Sequence, residues 1–328
     1  MPFPLYRRPG GVVFLDDDPD YIDMLAEVMP PAWFVRLLLR PVACIDLLQS
    51  ETQQWEADAW TQQDIVNQWR DGNPLIPQIL RWWKADATTR FGFTQVCVVD
   101  YSMPAMSGLQ VLNALTDWPG SRILLTGRAD EQLAVSAFNR GLIDRFIPKQ
   151  SPTLRQQLSD TVTALLAKPN GRHQQTWRAT LSREQVALLA NAAVSQRLEA
   201  LASQHGWVEH VVIGAPFGVL ALNGQGSVSW LQLEPADRLK ELAEMAESQG
   251  FDAATTKAIA LGQQLVDLEL QLALAGSHQA RANTAFSIGA GSYRLAAALF
   301  ELGEAFSPGP ASSYDAFSAR HASRARED

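Results

Sequence analysis

The sequence predicts an α/β protein: a doubly wound parallel sheet carrying a helical insertion, followed by a smaller α+β domain. Three observations lead there. The first half alternates short apolar runs with amphipathic segments, the pattern of a parallel sheet covered by helices. A polar break near residue 170, "KPNGRHQQ", divides the 328 residues into two lengths that each suit one domain. Beyond it, "LALNGQGSVSWLQ" places two apolar runs around Asn223-Gly224, a strong β-hairpin signal.

Five runs of the first half read as strands: Val12–Leu15, Val35–Leu39, Val96–Val99, Arg122–Leu125 and Arg145–Ile147. They are short and apolar, as strands buried on both faces are. Helices fit between and after them at about Pro19–Val28, Pro41–Gln49, Leu109–Thr116, Glu131–Arg140 and Ser151–Leu166. Five strands and five helices match the flavodoxin-like arrangement with strand order 2-1-3-4-5. One stretch is surplus to it. Residues 50–93 are rich in Gln and carry Trp55, Trp60, Trp69, Trp82 and Trp83, so they read as one or two inserted helices whose tryptophans serve core and interface.

The first domain is therefore expected over 9–167 with its insertion at about 50–93, and 168–175 as a linker. A second, α+β domain is expected over 176–306. It opens with a helix over Ser182–Ser203, where Ser182 stands as an N-cap before apolar residues at helical spacing. Hairpin strands follow at Phe217–Leu222 and Ser227–Leu233, then helices near Ala236–Ser248, Ala253–Ala273 and Tyr293–Phe300. From Ser307 the composition turns to Pro, Ser, Ala and charge, so 307–328 reads as a disordered tail.

Composition narrows the function. The net charge of -8 is shared by both halves, and neither shows the basic excess of a nucleic-acid-binding surface. The two cysteines, Cys44 and Cys97, fall in a predicted helix and a predicted strand, which suits buried free thiols in a reducing compartment. No apolar run approaches the roughly 18 residues that span a bilayer, and no signal peptide is evident, so a cytoplasmic location is expected.

The chemistry gathers at strand ends, where doubly wound sheets bind their ligands. Asp16, Asp17 and Asp18 follow the first strand, Asp100 the third, Thr126 the fourth and Lys149 the fifth. Clustered carboxylates raise one another's pKa unless a cation neutralises them, and Mg²⁺ suits a site of two or three carboxylates with a carbonyl and waters. With a lysine and a hydroxyl facing the same pocket, the set outlines a cradle for a phosphoryl group. Asp100 can then act as nucleophile, Lys149 and the metal holding the phosphoryl oxygens and Thr126 donating to one of them. Asp18 reads as the cap of the following helix, with Pro19 at its first position.

At these residues the sequence resembles a family. "FLDDDP", "VVDYSMPAMSG", "LLTGRAD" and "RFIPK" are similar, in order, to the signature segments of the receiver domain of bacterial two-component response regulators. The resemblance covers about residues 10–167. It implies that Asp16 and Asp17 are the acidic pair, Asp100 the phosphorylated aspartate, Thr126 the switch hydroxyl, Lys149 the invariant lysine and Phe146 the switch aromatic. It further implies Mg²⁺ held by Asp17, Asp100 and the backbone carbonyl of Ser102, with Asp16 acting through water, and matches Pro104 and Gly108 to the loop after the phosphorylation site. A sensor histidine kinase or phosphotransfer protein would be the partner, a phosphorylation-dependent homodimer an outcome. No enzymatic activity beyond self-catalysed phosphoryl transfer is implied.

Two departures stand out. Pro148 precedes the lysine and Gln150 follows it, where the family places a proline after the lysine. The stretch between Asp17 and Asp100 is also roughly twice the usual length, which puts the layout close to that of quorum-sensing response regulators with an atypical output domain. The output itself stays open between a signalling domain that changes dimerisation or partner binding, a ligand or protein sensor docked on the receiver, a DNA-binding transcriptional regulator and an enzyme. The five histidines, His173, His205, His210, His278 and His321, lack metal spacing and are assigned no role.

Overall fold

A run of four or five consecutive apolar residues needs cover on both faces, and the strands of the first half receive it. In the computed structural model, which describes residues 2–30, 33–84, 90–127, 131–274, 279–321 and 326–327, they pair as one parallel sheet. Counted along the chain, Gly11–Leu15, Phe34–Leu38, Thr94–Asp100, Ser121–Thr126 and Arg145–Pro148 take the predicted order 2-1-3-4-5. Alternate residues feed two cores. Val12, Phe14, Val96 and Val98 pack with Ile22 and Leu25 of the helix Pro19–Val28 and with Leu158 and Val162 of the helix Leu154–Leu166. Val13, Leu15, Cys97 and Val99 face the other way, toward Leu48, Val111, Leu112 and Ala134. Cys44 and Cys97 are buried free thiols in this second core, their Sγ atoms 4.0 Å apart.

The backbone divides into two units that are not contiguous in sequence. The parallel-sheet unit comprises Pro9–Trp60, Ala87–Lys168 and Ala316–Asp328; the antiparallel-sheet unit comprises Met1–Arg8, Thr61–Asp86 and Pro169–Asp315. The insertion is thus not a feature of the first domain alone. Its first part continues the helix that starts at Pro41 as far as Arg70, and Leu75–Trp83 forms a second helix. From Thr61 onward it packs with the second unit: the Trp177 indole donates to Gln62 Oε1 at 2.8 Å, and the Trp83 indole to Glu209 Oε1 at 3.1 Å.

The expected linker is also partly helical, since Gly171–Arg178 forms a helix capped by Asn170, whose side chain accepts from the Arg172 and His173 N–H groups. The expected disordered tail holds a helix, Tyr314–Arg320, and two residues, Arg326–Glu327, paired beside Phe34–Leu38. Phe317 explains the order: its ring is buried 5.1 Å from that of Phe34 and 5.9 Å from that of Phe91. Residues 322–325 and 328 of that tail, and His278, lie outside the described residues.

The antiparallel unit is built on a six-stranded sheet in the order Tyr6–Arg7, Trp207–Gly214, Phe217–Asn223, Val228–Pro235, Leu295–Glu301, Phe286–Ile288. The hairpin is where the sequence places it. Its turn is a longer loop than Asn-Gly implies: Asn223 Oδ1 accepts from the Gln225 and Ser227 N–H groups, and Gly226, not Gly224, takes the left-handed conformation at φ 90°.

Three expectations fail in this unit. The single helix over Ser182–Ser203 is two, Arg183–Ala190 and Ala192–Gln204, because Asn191 breaks the first and caps the second through its side chain. The helix over Ala253–Ala273 stops at Ala260; Gly262 at φ 67° turns the chain into the strand Gln264–Val266, and a short helix, Leu268–Ala273, follows. Tyr293–Phe300 is not helical beyond one short turn. Leu295–Glu301 is an interior strand paired along its full length with Val228–Pro235. No helix among the described residues is long and apolar enough to cross a membrane.

Candidate functional site

Asp16, Asp17, Asp100, Ser102, Thr126 and Lys149 each lie at the carboxyl end of a parallel strand or in the loop beyond it, whereas Phe146 lies within the strand Arg145–Pro148. The three acids after the first strand divide their work. Asp18 caps the helix Pro19–Val28, its Oδ1 accepting from the Asp20 N–H at 2.9 Å and the Tyr21 N–H at 3.2 Å. Asp16 is buried, its Oδ1 accepting from the Asp18 N–H at 3.1 Å and its Oδ2 from Lys149 Nζ at 2.6 Å. Asp17 is exposed beside them.

Asp100 ends the third strand and is 4% exposed. Lys149 Nζ stands 2.7 Å from its Oδ1, and the Ser102 N–H donates to its Oδ2 at 3.0 Å. A carboxylate oxygen from each of Asp16, Asp17 and Asp100 lies within 4.8 Å of the others. Three carboxylates face one ammonium, an excess of two negative charges when all are ionised. That donor set, all hard oxygen, fits a divalent cation such as Mg²⁺.

Electrostatics follow from this sharing. Burial raises the Asp16 pKa above the ordinary carboxylate value, even though the hydrogen bonds from Lys149 and the Asp18 N–H favour its charged form. Burial pulls Lys149 the other way, toward a lower pKa, but hydrogen bonds to Asp100 and Asp16 outweigh it and hold the ammonium above its usual value. One ammonium gains from two carboxylates, while each carboxylate has only a share of it.

Thr126 ends the fourth strand fully buried, and its hydroxyl has no hydrogen-bond partner among the described residues. A buried hydroxyl left unpaired is unfavourable by roughly 1–3 kcal/mol. The proline before Lys149 does not misplace the lysine. Arg145–Pro148 is an edge strand of the five, where a proline's missing N–H is tolerated, and the Lys149 N–H donates to the Thr126 carbonyl at 2.9 Å. Phe146 is half-buried against the core that holds Cys97 and Val99.

The loop after Asp100 closes tightly. The Gly108 N–H donates to the Tyr101 carbonyl at 3.0 Å, and a Cβ at Gly108 would stand 2.2 Å from the Asp100 carbonyl oxygen, so only glycine fits. Arg128–Asp130, the end of the "LLTGRAD" segment, lie outside the described residues. One site residue escaped the sequence reading. Lys149 Nζ sits 4.4 Å from the centre of the Tyr21 ring, a cation–π contact, and burial pushes the Tyr21 phenol up to about 12. Its signal was positional: Tyr21 is in the first turn of the helix that Asp18 caps.

The structure is similar to that of the Legionella pneumophila response regulator LqsR, at 20% identity and a TM-score of 0.66, over 92% of this chain and 91% of that chain. The fold is that of a response regulator. Smaller likenesses extend to a response regulator receiver domain protein from Clostridium thermocellum, 15% identical over 48% of this chain and 94% of that one with a TM-score of 0.30. Another is the signal receiver domain of an HD domain-containing protein from Pseudomonas fluorescens, 19% identical over 53% and 95% with a TM-score of 0.33. No protein-family model matches the sequence, and no curated protein does. The response-regulator fold therefore rests on the Legionella structure, which spans both units.

Proposed function

We propose that the chain is a response regulator of a two-component phosphorelay in the cytoplasm, accepting a phosphoryl group on Asp100 from a histidine kinase or phosphotransfer protein. The observation that carries this reading is the bridging of Asp16 and Asp100 by Lys149 at 2.6 and 2.7 Å, with Asp17 beside them. Asp16, Asp17, Asp100 and the Ser102 carbonyl would hold Mg²⁺, Asp16 through water, which supplies neutralisation of charge on the phosphoryl oxygens.

The chain's own residues do the rest. A carboxylate oxygen of Asp100 bonds to phosphorus as the phosphorus–nitrogen bond of the donor phosphohistidine breaks, and the leaving imidazole keeps the electron pair and takes a proton from solvent. Asp100 becomes an acyl phosphate. Lys149 stays within reach of the new oxygens, and the Thr126 hydroxyl, unpaired beforehand, donates to one of them. Its inward movement frees Phe146 to turn, changing the face of the fourth and fifth strands and, through it, dimerisation or partner binding by the antiparallel unit.

The test is labelling by acetyl phosphate. The wild-type protein with Mg²⁺ should gain one phosphoryl group by intact mass, and Asp100→Asn or chelation by EDTA should abolish it. Equal labelling of Asp100→Asn would overturn the assignment.

A further inference from the structure

We propose that a cleft in the antiparallel-sheet unit binds a small organic cation, an amine carrying a short apolar chain, with Glu234 as its counter-ion. The site is independent of the phosphoryl chemistry. The cleft holds about 310 Å³, at the small end of ligand pockets, and Pro216, Phe217, Met245 and Leu272 give it an apolar wall. Leu272 stands at the rim 72% exposed, a large apolar side chain left in water that an alkyl or aryl chain would cover.

Glu234 supplies the polar end. It projects into the cleft from the strand Val228–Pro235 and is 4% exposed. Gln232 Nε2 donates to its Oε1 at 2.9 Å, and no group among the described residues donates to its Oε2. A carboxylate largely withdrawn from water, with one oxygen short of protein donors, is a group that a ligand cation would match.

The surroundings select the sign of the ligand. Arg238 is the cation lining the cleft, and it is already engaged, by Glu269 at 3.0 Å and Glu241 at 3.3 Å. In the lining, Glu234 and Glu269 are two carboxylates to the one guanidinium of Arg238, so an anion would be disfavoured and a cation drawn in. Gln185, also in the lining, is already engaged: its Nε2 donates to the Gly214 carbonyl and its Oε1 accepts from the Ser182 N–H, both at 2.8 Å. Burial pushes the Glu234 carboxyl up to about 7, against the hydrogen bond from Gln232 and the charge of Arg238, with Glu269 and Glu241 adding to the rise. At neutral pH the acid is close to half protonated, and a bound ammonium would displace its proton.

The experiment is calorimetric titration of the full chain with hexylamine, hexanol and hexanoate, three probes of one chain length and different charge. Hexylamine should bind at least tenfold more tightly than hexanol, and hexanoate should not bind. Glu234→Gln should lose that tenfold advantage and keep its affinity for hexanol. In the wild-type protein, where no folding change intervenes, hexylamine affinity should fall about tenfold per pH unit once the pH is below about 7, as Glu234 takes up its proton. Hexanol or hexanoate binding as tightly as the amine, an unaltered amine affinity in Glu234→Gln, or a flat pH profile would each overturn the proposal.

Discussion

Lys149 Nζ lies 2.7 Å from Asp100 Oδ1 while it also holds Asp16 Oδ2 at 2.6 Å, so one positive charge serves two buried carboxylates. Removing it should separate metal binding from phosphoryl transfer. In Lys149→Ala the acids lose the ammonium that Asp16 and Asp100 share, and Mg²⁺ titration should show affinity retained or increased. Labelling of Asp100 by acetyl phosphate should slow by about a hundredfold, the usual consequence of deleting one preorganised donor to developing charge. Labelling at the wild-type rate would take Lys149 out of the transfer step.

Thr126 makes the opposite kind of test, because its buried hydroxyl has no partner among the described residues. Thr126→Val removes a buried, unpaired oxygen and keeps the branched shape. The unmodified protein should gain about 1 kcal/mol in urea unfolding. On the proposed function, labelling with acetyl phosphate should change the sedimentation or light scattering of the wild type and of Thr126→Ser, and leave that of Thr126→Val unchanged.

The strands and acids of the parallel unit could be read because each run is short, apolar and closed by a turn, and because the residues that carry chemistry fall where those runs end. Long-range order was not legible in the same way. Nothing local to Trp83 announces that its indole will meet Glu209, so the insertion could not be assigned to the antiparallel unit from its own composition. "LAAALF" is apolar throughout, and a run buried on both faces carries neither a helical nor an alternating period; its neighbours in the sheet decide, and they make it a strand. Asn191 was legible in principle as a cap, but it sits inside an unbroken helical pattern of apolar residues. Glu234 follows Gln232 and Leu233 in a strand, where alternating polar residues ordinarily mark a solvent face. Here that face is covered, and both polar side chains are buried.

That burial gives stability a pH dependence of definite sign. The Glu234 carboxyl is raised to about 7 from an ordinary 4.5, so its contribution is fully present below 4.5 and is lost as pH rises through about 7. The gap corresponds to at most about 3 kcal/mol. Glu234→Gln should therefore be close to neutral in denaturant unfolding at pH 4.5 and stabilising at pH 8. A variant that destabilises equally at both would show that the carboxylate is not strained.

His210 works in the reverse direction. Burial lowers its pKa from 6.5 to about 4, against the hydrogen bond between its Nε2 and the Pro4 carbonyl at 2.9 Å, and Phe3 stacks on the ring at 4.6 Å. Its neutral form stabilises the fold above pH 6.5, and that contribution is lost as pH falls toward 4. His210→Gln should flatten the decline over this window. Deleting residues 2–8, which removes the pairing of Tyr6–Arg7 with Val211 and His210, should lower the stability of the antiparallel unit at every pH.

Phe317 decides whether the last residues are part of the parallel-sheet unit. Composition marks 307–328 as a tail that could be cut away without effect, whereas the ring of Phe317 is fully buried among Phe34, Phe91 and His321, the last at 4.4 Å. A buried phenylalanine replaced by alanine loses about 3–5 kcal/mol through lost burial and the cavity left behind. Phe317→Ala should show that loss in chemical unfolding, together with faster amide hydrogen exchange along Phe34–Leu38, the strand that Arg326–Glu327 pairs with. Truncation after Ser313 should reproduce both effects, because it removes the same ring. Wild-type stability in the truncated protein would return the segment to the disordered tail its composition suggests.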